Sequence, residues 1–395
     1  MRKVRLKDIG TFYSGLSGKS KKDFSDGNAL LATYRNIFNN PVLNLDIKDT
    51  VVIGNGEKQN EVMYGDILFT GSSETPEEAG MSSVVMSEPK EKIYLNSFCF
   101  GFRLNNIIEV LPSYMGHLLR SEPVRKAISK TAFGVTRFNI NKNFLSEIEI
   151  PLPPLSIQRE IVSVLDSFTT LIDKMKQEVE LRKKQMEYYR EKLLSFDEEI
   201  RKLSFGKDFT LKARIGWQGL TKKEYLPDGE YKLITGTDFT TNNTIDFDHC
   251  VYVSKERYEQ DPYIQIKEDD VLITKDGTLG KIAYISELPM PATLNGGVFV
   301  VRGKMGEVTQ RFLKYYLISN NFKNWIEQNH TAGSIMHLTQ KLLEKFNIPV
   351  PSPSTQENIV STLDSFEQYI SKLERLITLR EKQYVYYREK LLTFE

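Results

Sequence analysis

The sequence predicts an α+β protein in which two globular domains of mixed α and β structure are separated by two long helices that form an antiparallel coiled coil. Three observations lead to this fold class. A segment of 46 residues occurs twice, each copy carries a long heptad pattern, and short β-branched and aromatic runs fill the sequence before each copy. The arrangement is a tandem repeat with pseudo-two-fold symmetry.

The repeat covers residues 151–196 and 349–394, which align without a gap at a spacing of 198 positions and share 25 of 46 residues. From Ile150 the first copy begins IPLPPLSIQREIVSVLDSF and ends YYREKLLSF. From Ile348 the second copy begins IPVPSPSTQENIVSTLDSF and ends YYREKLLTF. The chain is therefore predicted to be a duplication, with about half of its length in each copy.

Apolar residues recur at alternating steps of four and three through both copies, as in a coiled-coil seam. An arginine, Arg182 or Arg380, interrupts each seam at the same place. The period predicts two helices of roughly 40 residues, about 60 Å long, that wind around each other with the globular domains at opposite ends. The two seams are Ile161, Leu165, Phe168, Ile172, Met175, Val179, Arg182, Met186, Tyr189, Leu193, Phe196 and Ile359, Leu363, Phe366, Ile370, Leu373, Ile377, Arg380, Tyr384, Tyr387, Leu391, Phe394.

Prolines at the start of each copy mark the change from extended chain to helix. We therefore expect globular domains at 1–149 and 199–347, and helical regions at 150–198 and 348–395. The globular sequences correspond: YGDILFTGSS matches EDDVLITKDGTLG, and LNSFCFGFRL matches LNGGVFVVRG. Their loop tips differ, because GSS stands in one copy where KDGT stands in the other. A shared scaffold that presents different side chains is typical of two related domains that each recognise a different target.

Composition limits the class of protein. The chain has 395 residues, of which 40% are hydrophobic, and this is enough for two cored domains. Its two cysteines, Cys99 and Cys250, form no disulfide framework, and no signal-peptide pattern or long apolar run is present, so we expect a cytoplasmic protein without a membrane span. A net charge of +1 requires any nucleic-acid contact to come from local patches.

No catalytic site is expected. The letters of a PD-ExK nuclease occur in PDGEYK at 227–232, but Asp228 and Glu230 are only two positions apart, and a turn explains them better. The sequence contains no P-loop, no glycine-rich nucleotide loop and no adenine-methyltransferase motif. Its four histidines lack metal-ligand spacing, so we expect neither a metal site nor a cofactor of its own.

The order of globular and helical segments resembles the specificity subunit of type I restriction-modification enzymes over essentially the whole chain. The resemblance is carried by IPLPPLSIQREIVSVLDSF and its repeat, by GDILFT and DDVLIT, and by IMHLTQKLLEKFNIPVPSP. It implies that each globular part is a target recognition domain for one half of a bipartite, asymmetric sequence in double-stranded DNA. It also implies that two methyltransferase subunits bind the helices, that motor-nuclease subunits join outside them, and that these partners bind S-adenosylmethionine, ATP and Mg.

Residues for DNA contact were chosen by chemistry. Lysines on polar loops suit phosphates, and groups with a defined donor or acceptor pattern suit base edges. The phosphate candidates are Lys19, Lys21, Lys22, Lys222 and Lys223. The base-contact candidates are Thr70, Ser72, Ser73, Asn96 and Arg137 in the first domain, and Thr237, Lys275, Asp276, Thr278, Asn295 and His337 in the second.

Residues away from the seam also recur, although solvated positions usually diverge. They indicate either two copies of one partner-binding surface or a mutual pairing that needs both copies. The partner-binding candidates are Tyr188, Arg190, Glu191, Lys192, Tyr386, Arg388, Glu389 and Lys390. The alternative function is a pseudo-symmetric coiled-coil scaffold that binds only proteins, and the near-neutral net charge favours that alternative.

Overall fold

The computed structural model describes residues 2–107, 109–216, 219–276, 279–329 and 338–394. Contacts between residues divide the chain into two compact units. The first unit comprises Met1–Gln177 and Glu374–Glu395, and the second comprises Glu178–Leu373. Each unit therefore contains one globular part together with pieces of both long helices.

The first unit is built from short strands and short helices, followed by a long helix that begins at a proline-rich segment. The strands are β1 (Arg2–Arg5), β2 (Gly10–Ser14), β3 (Ala29–Ala32), β4 (Thr50–Val51), β5 (Ile67–Thr70), β6 (Ser72–Ser73), β7 (Ser82–Val84), β8 (Ile93–Leu95), β9 (Cys99–Leu104), β10 (Ala132–Phe133), β11 (Phe138–Ile140) and β12 (Glu149–Leu152). The helices are α1 (Leu6–Ile9), α2 (Tyr34–Asn39), α3 (Pro112–Leu118), α4 (Glu122–Ser129), α5 (Lys142–Ser146) and the long α6 (Leu155–Leu193).

The second unit repeats this plan and leads into the other long helix. Its strands are β13 (Lys202–Ser204), β14 (Phe209–Lys212), β15 (Tyr231–Ile234), β16 (Val251–Val253), β17 (Val271–Thr274), β18 (Ile282–Tyr284), β19 (Ala292–Leu294), β20 (Val298–Gly303) and β21 (Asn347–Pro349). Its helices are α7 (Phe205–Asp208), α8 (Lys255–Glu259), α9 (Gln310–Ile318), α10 (Asn320–Asn329), α11 (Gln340–Leu343) and the long α12 (Pro353–Leu392).

Three sheets of the first unit have counterparts in the second, and the first unit also has a small sheet of order β10-β11-β6. An antiparallel sheet has the strand order β2-β9-β5-β7 in the first unit and β14-β20-β17-β18 in the second. A mixed sheet has the order β4-β3-β8 in the first unit and β16-β15-β19 in the second, and in both the last pair is parallel. The ends of each globular part meet in a two-stranded ladder, β1 with β12 and β13 with β21. The correspondence predicted from GDILFT and DDVLIT is confirmed, because these runs form β5 and β17.

The long helices pair antiparallel within each unit. In the first unit, the ring of Phe168 on α6 stacks on Tyr387 of α12 at 5.3 Å between centroids, and Lys176 Nζ lies 2.7 Å from a Glu381 carboxylate oxygen. In the second unit, the Arg182 guanidinium of α6 lies 5.5 Å from the ring centroid of Tyr369 on α12, and Tyr189 stacks on Phe366 at 5.7 Å. Residue numbers rise along α6 as they fall along α12, so the predicted pairing direction is confirmed in each unit.

Fully buried seam residues lie only among the first six positions of each seam: Ile161, Leu165, Ile172 and Val179 in α6, and Ile359, Leu363, Ile370 and Ile377 in α12. Ile161 and Leu165 join the core of the first unit, and Ile359 and Leu363 join that of the second. The seams differ from the prediction at their last position, because Phe196 and Phe394 lie beyond the ends of α6 and α12, and at Tyr387, whose side chain is exposed. Each of these two rings packs against the core of its own unit from the segment that follows the helix.

A buried glutamine fixes the start of each long helix. Gln158 Nε2 donates to the carbonyls of Glu109 and Pro153 at 3.0 and 2.9 Å, and its Oε1 accepts from the Leu111 amide at 3.0 Å. Gln356 makes the three equivalent bonds in the second unit, to Glu307, Pro351 and Thr309. The recurrence of this glutamine therefore has a structural cause, since each of its amide groups is buried and fully paired.

Candidate nucleic-acid interface

A turn with two adjacent lysines occurs at the same place in both units. SKKD at 20–23 and TKKE at 221–224 each form a capped 3-10 turn, in which the side chain and amide of the first residue donate to the carboxylate of the last. These bonds lower the pKa of the Asp23 and Glu224 carboxyls, the latter to about 2. Lys21, Lys22, Lys222 and Lys223 are exposed, so each turn presents two ammonium groups from a fixed backbone.

Lys19 lies in a different environment from its neighbours. Its Nζ donates to the Val52 carbonyl at 2.7 Å and to the Glu57 carboxylate at 2.5 Å, and only 9% of its side chain is exposed. The bond from Lys19 is the main reason why the pKa of Glu57 falls to about 2. Lys19 therefore braces the loop that carries the lysine turn, whereas the phosphate-contact hypothesis assumed a flexible side chain.

Three of the predicted base-contact residues meet in one cleft of the first unit, which we call the Arg137 cleft. Arg137 Nε donates to Ser72 Oγ at 2.9 Å, and its guanidinium lies 5.2 Å from the ring centroid of Phe98. Ser73 Oγ donates to a Glu78 carboxylate oxygen at 3.0 Å. The cleft has a volume of about 570 Å³ and is lined by Tyr34, Phe38, Ser72, Ser73, Glu74, Glu78, Thr136 and Arg137.

The other two candidates of the first unit support the backbone around this cleft. Thr70 is fully buried, and its Oγ1 accepts from the Met81 amide at 2.9 Å. In the second unit, Thr274 Oγ1 accepts from the Lys281 amide in the same way, so the threonine hydroxyl at this position is part of the scaffold that both units share. Asn96 Oδ1 accepts from the Phe98 amide at 2.9 Å and thereby fixes the turn that presents the exposed Phe98 ring. The burial of Thr70 gives no support to a base contact by that residue.

Two half-buried arginines near the Arg137 cleft were not found by sequence reasoning. Arg125 donates to the carbonyls of Gly80, Glu77 and Ala79 at 2.5, 2.7 and 2.7 Å. Arg120 donates to the Ser82 carbonyl at 2.7 Å. Burial lowers the pKa of both guanidinium groups to about 10, which still leaves them cationic at neutral pH. Their targets are backbone carbonyls more than 35 positions away in the chain, so no local sequence pattern could reveal them.

The second unit has its own cleft, with a volume of about 390 Å³, which we call the Lys275 cleft. Lys275 Nζ lies 5.6 Å from the ring centroid of Phe299, and the Lys275 amide donates to the Gly297 carbonyl at 2.9 Å. Among the candidates, the structure brings Lys275 and Asp276 together here. Its lining residues are Ala213, Arg214, Ile215, Gly216, Lys275, Asp276, Phe299, Leu338, Thr339 and Gln340.

The remaining candidates of the second unit lie apart from that lining. Asn295 Nδ2 donates to the Tyr225 hydroxyl at 2.6 Å. Thr237 is exposed on a 3-10 turn, where its Oγ1 lies 2.8 Å from Thr235 Oγ1. Thr278 and His337 lie outside the described residues. Arg214 was missed by sequence reasoning although it lines the cleft, because it is identified only by its burial and by its bonds to Leu294 and Thr293.

The recurrent acidic residue of each long helix binds the start of a short helix in the same unit. A Glu389 carboxylate oxygen accepts from the Glu122 amide at 2.8 Å, at the first residue of α4. Glu191 accepts from the Asn320 amide at 3.0 Å, at the first residue of α10. Arg388 Nε donates to the other Glu389 oxygen at 2.8 Å, and Arg190 holds Glu191 likewise. Each glutamate therefore ties its long helix to a short helix of the same unit.

The other recurrent residues on these helices face outward. Tyr188 and Tyr386 are 62% and 60% exposed, and Lys192 and Lys390 are exposed one turn further along. Leu181 and Leu379, one heptad earlier than the tyrosines, are also exposed. We call the two sets, Leu181–Tyr188–Lys192 and Leu379–Tyr386–Lys390, the exposed helix faces. They present the same apolar and cationic groups twice.

The described residues show no arrangement of three or more His, Cys, Asp or Glu side chains suited to a metal ion. Within the same part of the chain, no helix is long and apolar enough to cross a membrane. Both cysteines are buried, and burial raises the pKa of each thiol, that of Cys99 to about 12. These thiols are therefore protonated at neutral pH and poor nucleophiles.

Both the sequence and the structure of this chain are similar to known proteins. The EcoR124I/EcoR124II type I restriction enzyme specificity subunit of Escherichia coli is 30% identical over 269 residues, which cover 63% of this chain and 64% of the relative. A putative type I restriction enzyme specificity subunit of Haemophilus influenzae is 29% identical over 275 residues, covering 66% of this chain and 68% of the relative. The alignment thus spans less than two thirds of the Escherichia coli relative.

Solved structures share the fold over almost the whole chain. The S subunit of a type I restriction-modification system from M. genitalium superposes with a TM-score of 0.54 at 16% identity, covering 100% of this chain and 96% of that one. A chain from a structure describing complex assembly and conformational transition of the type I system gives 0.60 at 17% identity, covering 99% and 96%.

A family model is matched by both halves of the chain, at residues 1–181 and 218–381. The model describes the type I restriction modification DNA specificity domain. Because the two matches together span most of the sequence, this chain belongs to the type I restriction-modification DNA specificity family.

Proposed function

We propose that this chain is the DNA-reading subunit of a type I restriction-modification enzyme and that each globular part reads one half of a bipartite, asymmetric target. One observation carries the proposal. The two units share strand order, buried polar groups and lysine turns, but their clefts present different side chains: Ser72, Ser73 and Arg137 in one, Lys275 and Asp276 in the other. Two domains that share a scaffold but present different hydrogen-bond donors and acceptors are suited to recognise two different base sequences.

In this proposal the lysine turns hold phosphates and the clefts read bases. Two exposed ammonium groups on a capped turn position a protein on the duplex without specifying sequence. The Arg137 guanidinium, braced by Ser72 Oγ at 2.9 Å, suits the bidentate acceptor pattern of guanine in the major groove. Thr237, Asn295, Thr278 and His337 stay as candidates for the second half.

The chemistry belongs to the partner subunits. Those partners bind S-adenosylmethionine, ATP and Mg, methylate adenine and cleave DNA, while this chain selects the site and has no catalytic role. The motor-nuclease subunits complete the assembly, which acts in the cytoplasm.

Exchange of residues 1–149 for the corresponding domain of a family member tests the proposal, with methylation-site mapping of the reconstituted enzyme as the readout. One half of the recognised sequence is expected to change, while the other half and the gap stay the same. Exchange of 199–347 is the matched experiment for the other half. If either exchange alters both halves together, the proposal is wrong. A gel shift on random DNA with the methyltransferase partner separates it from a scaffold that binds proteins only, which would give no shift.

We further propose that each exposed helix face docks one methyltransferase subunit, with Arg190, Glu191, Arg388 and Glu389 at its border. The exposed tyrosine, leucine and lysine offer apolar area with a cationic rim, and they occur twice. Mass measurement of the complex at excess methyltransferase is expected to give two partners per chain. Tyr188→Glu or Tyr386→Glu reduces the number to one, and the double variant reduces it to none. A one-to-one complex of the unaltered chain overturns this part of the proposal.

A further inference from the structure

We infer that Arg125 is a positioning residue for base recognition in the first unit, and that it acts in series with Glu389 to connect the long helix α12 to the Arg137 cleft. The inference rests on the proposed function and deepens it, because it names residues outside the cleft that determine how sharply the first half-site is read. Three contacts carry it, and all three lie within the first unit.

The first contact joins α12 to α4. Ser121 precedes α4 without a side-chain hydrogen bond to the helix start, so the Glu122 amide would lack a partner from its own helix. Glu389 supplies one at 2.8 Å, and its negative charge lies where the dipole of α4 favours an anion. Arg388 holds the other carboxylate oxygen at 2.8 Å, which fixes the orientation of the acceptor. The start of α4 is thereby tied to a helix far away in sequence.

The second contact joins α4 to the loop at the cleft. Arg125, in the first turn of α4, donates to three carbonyls in residues 77–80. Gly80 allows this loop to lie against the helix, because a Cβ at Gly80 would be 2.7 Å from Ile128 Cγ2. Glu78, which lines the Arg137 cleft and accepts from Ser73, belongs to the same loop. The position of this wall of the cleft therefore follows the position of α4.

The third contact holds the opposite wall. Arg120, just before α4, donates to the Ile37 and Phe38 carbonyls at 3.4 and 3.3 Å, as well as to that of Ser82. These two carbonyls belong to α2, and its Tyr34 and Phe38 rings line the cleft. The segment that carries both arginines thus sets the width of the cleft from both sides.

The second unit provides a natural comparison. It keeps the carboxylate at the start of α10, through Glu191, and it keeps the close approach of a glycine to the helix, because a Cβ at Gly280 would be 2.5 Å from Ile326 Cδ1. The position equivalent to Arg125 is Lys323, and that equivalent to Arg120 is Ile318. A lysine cannot donate in the forked geometry of a guanidinium, so the arginine connection is specific to the first unit.

The test uses the full chain with its methyltransferase partner and compares binding to the mapped target with binding to duplexes that carry single base-pair changes in either half. Arg125→Lys is expected to reduce discrimination in the half read by the first unit about tenfold, while leaving the second half and the salt dependence unchanged. Glu389→Gln acts on the same half with a smaller effect, because the amide oxygen still accepts. Glu191→Gln is the matched control and is expected to leave discrimination in both halves unchanged, because the second unit lacks the arginines that connect its short helix to a cleft.

Two further measurements keep the inference open to refutation. Hydrogen exchange of amides 74–81 is expected to speed up in Arg125→Lys without DNA, while exchange in α3 stays unchanged and shows that the unit remains folded. Gly80→Ala, which shifts the same loop without altering Arg125, is expected to reduce discrimination in the same half. The inference is overturned if Arg125→Lys weakens binding equally to matched and mismatched duplexes, or in both halves. If the unaltered chain shows no sequence preference, the proposed function itself fails, and the inference fails with it.

Discussion

The two units of this chain repeat one another most closely where side chains are buried and differ most where they line clefts. Asp66, just before β5, forms a bidentate pair with Arg103 of β9, and Asp270, just before β17, forms the same pair with Arg302 of β20. In contrast, the clefts differ at the loop that follows the central strand: Ser72 and Ser73 line the Arg137 cleft, whereas Lys275 and Asp276 line the Lys275 cleft. The comparison teaches that duplication preserved the polar framework that fixes strand and helix positions and left the cleft walls free to diverge.

The largest loss of stability is expected when the carboxylate of either arginine pair is removed. The two variants together test whether the two polar frameworks contribute equally to stability. Asp66→Ala and Asp270→Ala each leave a partly buried guanidinium without its carboxylate, and each is expected to destabilise its own unit by about 3 kcal/mol. Denaturant unfolding followed by hydrogen exchange reports each unit separately. Asp46→Ala, at an exposed ion pair, is the control and costs under about 0.5 kcal/mol. Loss of stability in only one unit would show that the two pairs are not equivalent.

The next effect concerns the glutamines at the helix starts. Gln158→Met and Gln356→Met keep the side-chain volume but remove the three hydrogen bonds that the buried side-chain amide makes to the backbone, so each is expected to cost about 2 kcal/mol. Gln368→Met, at an exposed position of α12, is the matched control and leaves stability nearly unchanged. The same measurement applies. A cost no larger than that of the control would show that water replaces the lost bonds.

A smaller effect distinguishes the units at the contact between a short helix and a long one. Tyr315 on α9 donates to Asp364 at 2.6 Å, whereas the first unit places His117 of α3 at 2.8 Å from Asp166. Tyr315→Phe is expected to cost about 1 kcal/mol. His117→Phe costs more, since the imidazole also lies 3.0 Å from the Tyr384 hydroxyl. Equal losses of stability in Tyr315→Phe and His117→Phe would show that the two contacts contribute equally. Tyr263→Phe, at an exposed ring, is the control.

The smallest effect is a dependence on pH that both units share. Glu57 and Glu224 have folded-state pKa values of about 2, against an ordinary value of 4.5. The unfolded chain therefore binds more protons in this range, so their stabilisation is complete above about pH 4.5 and is lost as the pH falls toward 2. The difference between the thermal midpoints measured at pH 5 and at pH 3 should be smaller in Glu57→Gln and in Glu224→Gln than in the unaltered chain. High salt should reduce the effect, because both carboxylates lie near solvent.

Periodicity and repetition made the large elements predictable from sequence. The long helices, their pairing direction within each unit and the matched strands follow from residues that repeat, and local spacing is enough to detect them. The cleft walls could not be predicted so well. Arg125 is recognised only through carbonyls that the fold brings to it, and Lys19 was interpreted as free because its partner Glu57 lies 38 positions away. Glu191 and Glu389 stood out by recurrence, but only coordinates could show that each binds a helix within the chain.

The position of Leu392 has a consequence for how the chain is made. This residue is only 3% exposed, and it completes the core of the unit that begins at the amino terminus. During synthesis, the first globular part therefore emerges from the ribosome with one side of its core uncovered, and it stays so while the whole second unit is translated. At roughly 5–20 residues per second, the intervening residues take tens of seconds. Of the two units, the one whose globular part is synthesised first is thus completed second, and its exposed apolar side is a site where chaperones can act.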